Sequence, residues 1–210
     1  MTEIREGMQD ASLSRRDFLK AAAGAAVVAA AAGVALPDIN ASKAFAASAV
    51  PLSGAYAAPG TYTVTANLYV DKRDSPIGKN AYVTNPGNPP FNKPTSPVAN
   101  NATLVVVEGG AKLLTVPIVN SSFGVLEIAS ASQDGLVRIT EKKMGKWVMP
   151  NFLWSSPYDE RVVSLTFDVT NFAGGSAVAT FGPSAEYASF PLYKGRKTWD
   201  LHLVADLGAA

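Results

Sequence analysis

The stretch Ser176–Val204, SAVATFGPSAEYASFPLYKGRKTWDLHLV, decides the fold. It holds two alternating runs, Ala177–Phe181 continuing toward Tyr187, and Thr198–Val204. Between them the turn Lys194-Gly195-Arg196-Lys197 is basic, and its approaches (Tyr187, Phe190, Leu192, Tyr193, Trp199) are aromatic or apolar. Side chains repeat every second residue along a strand, so this pattern predicts the last hairpin of a β-sandwich. With the second strand beginning at Tyr193, Tyr193, Lys197, Trp199, Leu201 and Leu203 share a face, and His202 falls on the more polar one. Such a tip brings an oxygen ligand, a cation and an indole to one flat, anionic, largely apolar molecule. It reads equally as a core aromatic cluster beside a solvated basic turn.

Outward from this hairpin, the same period of two recurs. In Thr61–Val70, Tyr62, Val64, Ala66, Leu68 and Val70 fall on one face, with Thr61, Thr63, Thr65, Asn67 and Tyr69 on the other. Val162–Val169 alternates Val163, Leu165, Phe167 and Val169 against Val162, Ser164, Thr166 and Asp168. Ala102–Glu108 and Ala111–Val119 are β-rich runs around Gly109-Gly110, a two-residue hairpin signal, and Pro117 places the second at an edge or bulge. Phe123–Ala131 and Leu136–Glu141 follow, joined by Gln133-Asp134-Gly135. Lys142–Lys146 and the aromatic loop Trp147–Tyr158 are expected to carry the chain across the molecule. Five prolines between Asn85 and Asn101 forbid a ladder strand there and favour an ordered, extended surface loop. The expected fold is all-β: one immunoglobulin-like antiparallel sandwich of about eight strands over residues 60–207, preceded by a helical signal peptide.

Ser14-Arg15-Arg16-Asp17-Phe18-Leu19-Lys20 matches the twin-arginine export motif at every position, and an Ala-rich apolar run follows to Leu36. That run is too short and too weakly hydrophobic for a stable span of a ~30 Å hydrocarbon core. Ala44-Phe45-Ala46 offers cleavage before Ala47, with Ala47-Ser48-Ala49 as a second choice. Residues 1–46 are therefore read as a signal peptide, and 47–59, small and rich in Ala and Pro, as a flexible lead-in. Export to the cell surface or beyond, from a prokaryotic cell, is what resemblance to this signal class implies.

Bulk properties narrow the function. The roughly 160 residues that remain suit one domain with a stable core. Removing the five basic and five acidic residues before Ala47 from totals of 18 and 17 leaves 13 against 12, which gives no support to nucleic-acid binding. Cysteine is absent and His202 is the one histidine, which excludes disulfides, iron–sulfur clusters and multi-His metal sites. No phosphate-cradling loop, nucleophile elbow or HExxH helix occurs, and the adjacent carboxylates Asp159-Glu160 point apart on any strand. An enzyme is not expected.

Gly60-Thr61-Tyr62-Thr63-Val64, Ala102-Thr103-Leu104-Val105-Val106 with its glycine turn, Asn120-Ser121-Ser122-Phe123, Leu165-Thr166-Phe167-Asp168-Val169 and Trp199-Asp200-Leu201-His202-Leu203 together resemble the NEAT (near iron transporter) family over roughly Pro59 to Asp206. The resemblance implies a sandwich that binds haem at the bacterial surface, through the final hairpin and a short helix after the first strand. It implies that Ser75, in Ser75-Pro76-Ile77-Gly78, meets a haem propionate; a helical turn starting at Ser-Pro is physically reasonable. It also implies a YxxxY in the hairpin, whose first tyrosine ligates ferric iron. This chain departs there: with Tyr193 as the iron ligand the second position is Lys197, and with the Trp199–Leu203 run aligned without gaps the two positions are Gly195 and Trp199. In the first register Lys197 favours the phenolate electrostatically. In the second, haem rests on Trp199 with its propionates on Lys194, Arg196 or Lys197, or takes a ligand from the Met144/Met149 loop. Tyr187 or Trp199 is expected to pack on the porphyrin. The expected partners are haem or another porphyrin and a haem donor or receptor protein. The alternative is a NEAT-shaped module that has lost haem ligation and binds a protein or glycan through its Pro- and Trp-rich loops.

Overall fold

The computed structural model describes residues 56–75, 77–87, 89–94, 102–148, 158–172, 178–186 and 198–207. Residues 1–46, and with them the expected helical signal peptide, lie outside this set, as do Tyr187, Tyr193, Arg196 and Lys197.

Among the described residues the fold is all-β. Nine strands form one curled antiparallel sheet: β1 (Gly60–Val70), β2 (Ala81–Tyr82), β3 (Ala102–Val106), β4 (Lys112–Pro117), β5 (Val125–Glu127), β6 (Arg138–Lys146), β7 (Glu160–Asp168), β8 (Val178–Glu186) and β9 (Thr198–Asp206). The hydrogen-bonded order is β5-β8-β9-β1-β3-β4-β7-β6, with β2 added to β1. The strand beyond the expected eight is the short β2.

β1 holds the two layers together. Its first half, Gly60–Val64, pairs with β3, and its second half, Thr65–Val70, pairs with β9. The core-facing stripe Val64, Ala66, Leu68 and Val70 is fully buried, as the alternation predicts. The layers meet where Phe167 of β7 packs on Phe181 of β8, ring centroids 5.4 Å apart. Each such side chain withdrawn from water contributes roughly 1.5–3 kcal/mol.

Pro117 behaves differently from its sequence reading. β4 lies inside its layer between β3 and β7, but Pro117 is its last residue, paired with Ser164 of β7 and beyond the reach of β3. A missing N–H is tolerated at the last residue of a strand, where the ladder ends. Gly109 and Gly110, at φ 91° and 89°, turn the chain between β3 and β4. Val107 N–H closes this loop on Ala111 O at 2.9 Å, so it is longer than the two-residue hairpin expected.

β6 is the largest departure. Leu136–Glu141 was expected to be a strand and Lys142–Lys146 a crossing loop, yet the strand runs from Arg138 through Lys146. It is an outer strand, exposed along most of its length and crowded with charge, a composition that discourages edge-to-edge pairing. Phe123–Ala131 contributes only the three-residue β5 and an isolated bridge from Ala131 to Arg138. A register shift between β6 and β7 also falls at Val163. As a result Val162, not Val163, is fully buried with Leu165 and Phe167.

The proline-rich loop is ordered where it is described. Asn120 Nδ2 donates to Asn85 O (2.6 Å) and Gly87 O (3.0 Å), Asn85 Nδ2 donates to Asn92 O (2.6 Å), and Tyr82 N–H donates to Pro90 O (2.9 Å). At the other end of the domain, Tyr56 packs edge-on against Tyr62 (5.2 Å), whose hydroxyl donates to Ala58 O. The described end of the lead-in is thus held on β1.

Candidate functional site

The turn after β1 and the start of β9 form one unit. Asp74 and Ser75 N–H both donate to Asp71 O at 3.0 Å, and Lys72 N–H donates to Asn80 Oδ1 at 2.9 Å. Asp71 Oδ1 accepts from Arg73 N–H (2.9 Å) and from its guanidinium Nε (2.8 Å). Burial pushes the Asp71 carboxyl up, but these Arg73 contacts outweigh it and leave the group below the ordinary carboxylate value. The turn then reaches β9, where Asp200 N–H donates to Asp74 Oδ2 at 3.4 Å.

On the solvent-side face of β9, four strands contribute one rung each to a cross-strand ladder. Tyr82 of β2 lies opposite Tyr69 of β1, Tyr69 opposite His202 of β9, and His202 opposite Thr180 of β8. The Tyr82 and Tyr69 rings are 5.4 Å apart, and Tyr69 stacks on the His202 imidazole at 5.0 Å with 19° between planes. His202 Nδ1 is 3.1 Å from Thr180 Oγ1. The residue is 7% exposed, and its Nε2 is buried with no hydrogen-bond partner. Burial lowers the imidazole pKa, against the opposing pull of Asp71 and Asp200.

Of the residues expected to hold haem, the structure places two. Ser75 lies in the turn after β1, completely buried, and its Oγ has no hydrogen-bond partner. It sits in a bend and not in a helix. Trp199 begins the core-facing stripe of β9 with Leu201 and Leu203, is 3% exposed, and meets Phe123 edge-on at 6.5 Å. The turn carrying Ser75 and the strand carrying Trp199 are therefore joined at one end of the domain by the Asp74–Asp200 bond. Tyr187, Tyr193, Arg196 and Lys197 belong to the segment entering that strand and lie outside the described residues. Taken alone, Ser75 and Trp199 offer a porphyrin no exposed surface.

Sequence reasoning assigned His202 a polar face, without Tyr69, Tyr82 or the clustered Asp71, Asp74 and Asp200. The signal was available only as alternation, since cross-strand neighbours are set by register. Among the described residues no three His, Cys, Asp or Glu side chains converge to hold a metal ion. Of the aromatic loop, Trp147 turns inward, donating through Nε1 to Ser121 O at 2.9 Å, whereas Tyr158 is 47% exposed. Phe152 and Trp154 lie outside the described residues.

The fold and the site define the chain as an antiparallel β-sandwich with a buried polar junction at one end. No protein family, curated protein or solved structure matches it.

Proposed function

We propose that this chain is an exported haem-binding module, which captures or relays an iron-porphyrin without chemistry of its own. The observation that carries this reading is the bond from Asp200 N–H to Asp74 Oδ2, which sets the Ser75 turn beside the strand that leaves the final hairpin. A ligand held between that turn and that hairpin has Tyr193 as its phenolate iron ligand, suited to hard ferric iron. Lys197 and Arg196 serve its propionates, and Tyr187 gives a flat apolar contact. Ser75 and Trp199 support the pocket wall, and Ser75 reaches the ligand only if its buried hydroxyl is uncovered. The twin-arginine stretch at Arg15-Arg16 provides the route to the cell surface or medium.

Ferric haem titrated into the protein lacking residues 1–46 gives a shifted Soret band and a tyrosinate-type spectrum. Tyr193→Phe removes that spectrum, and Lys197→Ala weakens binding by roughly 1–2 kcal/mol. A parent protein that leaves the haem spectrum unchanged overturns the reading.

A second reading is favoured by the inward placement of Trp199 and Ser75 and by the exposure of Val148 (70%) and Tyr158 on either side of the aromatic loop. In it the sandwich binds a protein or glycan through that loop. Retained partner binding by Tyr193→Phe, with no haem uptake by the parent, distinguishes it.

A further inference from the structure

The buried imidazole of His202 lies beside three carboxylates and serves neither reading of the ligand site. Asp71 follows Tyr69 by two residues and Asp200 precedes His202 by two, so the antiparallel pairing of β1 with β9 brings both carboxylates next to the Tyr69–His202 rung on the same face. The described charged and titratable groups around the ring are Tyr69 and Asp71 from β1, Arg73 and Asp74 from the following turn, Tyr82 from β2 and Asp200 from β9; β8 contributes Thr180. Arg73 is bound to Asp71. Asp74 holds the Asp200 N–H.

We infer that His202 is a proton-operated latch on this end of the domain: on taking up a proton its ring leaves the Tyr69 stack for the carboxylates, and the 71–75 turn releases β9. A neutral ring is compatible with a buried Nε2, whereas an imidazolium has to hydrogen-bond through both nitrogens. The nearest acceptors with full negative charge are those of Asp71, Asp74 and Asp200. Drawing Asp74 toward the ring takes its oxygen from the Asp200 N–H. The direction follows from the burial. The folded state favours the neutral ring, so the closed junction is fully stable above the ordinary imidazole value, roughly pH 6.5. It loses stability as pH falls from there through the lower folded value. The latch operates whatever ligand the hairpin takes.

The chain has one histidine, so the imidazole C2–H resonance of the whole domain reports His202 alone. Between pH 7 and pH 5 its titration is expected to midpoint below the ordinary value, and the protection factor of the Asp200 amide is expected to fall over the same interval. The fall should be about tenfold for each unit by which the midpoint is depressed. His202→Phe keeps a ring against Tyr69 but cannot be protonated, and its Asp200 amide stays protected across the range. An unchanged protection factor in the parent overturns the latch, as does an equal loss in His202→Phe. Should His202→Phe fail to fold, the parent decides: an imidazole titrating at its ordinary value while Asp200 is unaffected also overturns it.

Discussion

Gly124 lies against the indole of Trp147 so closely that a β-carbon there would occupy the space of the six-membered ring. Trp147 is buried and anchored through Nε1 to Ser121 O, so the ring cannot swing aside without losing that bond. Gly124→Ala is expected to destabilise the domain by about 1–3 kcal/mol, the usual cost of overpacking. The urea midpoint should fall with the m-value unchanged. An Ala variant as stable as the parent would show that the indole has another place to go.

Lys112 is 1% exposed, among the largest fully buried side chains of the domain. Burial lowers its ammonium pKa, and Asp168 only partly offsets this. Asp168 keeps Thr170 N–H at 3.0 Å and Arg138 Nη2 at 3.7 Å without it. Lys112→Met fills the same length with an apolar chain but cannot donate as the ammonium does, and is expected to cost about 1–3 kcal/mol. A Met variant as stable as the parent in urea unfolding would mean that the ammonium's desolvation cancels what its contacts contribute.

Tyr69 sets the alkaline limit of the ladder. Burial, then Asp71 and Tyr82, raise its phenol pKa above 10.0, while Arg73 pulls it down. The folded phenol therefore keeps its proton where the unfolded one releases it. This contribution is fully present below about pH 10 and is lost as pH rises through the folded value. Urea midpoints of the parent should fall between pH 9 and pH 11 by more than those of Tyr69→Phe. Parallel profiles would remove Tyr69 from the account.

Arg15-Arg16 is the export determinant in the proposed reading. Replacing both with Lys should abolish appearance of the protein outside the cytoplasm, checked by fractionation and by N-terminal sequencing of the exported form, which is expected to begin near Ala47 or Val50. Continued secretion of the Lys-Lys variant excludes the twin-arginine route.

The strands most legible in the sequence are those whose two faces differ in polarity. β1 and β9 show their core stripes directly, with Val64, Ala66, Leu68 and Val70 on one and Trp199, Leu201 and Leu203 on the other. β6 was half hidden because neither of its faces is buried: its start read as the end of a strand over Leu136–Glu141, while Lys142, Lys143 and Lys146 read as a solvated loop. On β7 one shifted register exchanges Val162 for Val163, and Gly145 is what leaves room for Val163, since a β-carbon on it would come within 2.8 Å of Val163 Cγ1. The candidate site was legible by residue type and not by placement. Trp199 shared a face with Leu201 and Leu203 in the sequence, but only packing against distant residues such as Phe123, in the segment between β4 and β5, makes that face the core.

The sequence by itself determined that β1, β3, β4, β7 and β9 pleat and that the chain turns at Gly109 and Gly110, because alternation and left-handed freedom belong to the local backbone. Tertiary structure alone decided that β1 serves both layers and that Pro117 ends an inner strand. It also decided that Ser75, Lys112 and His202, polar by composition, are buried. Pairing and burial depend on partners far along the chain: Asp74 and Asp200, whose contact organises the candidate site, are 126 residues apart. No local pattern encodes a neighbour at that distance, since the sheet brings the two together only when every strand between them has taken its register.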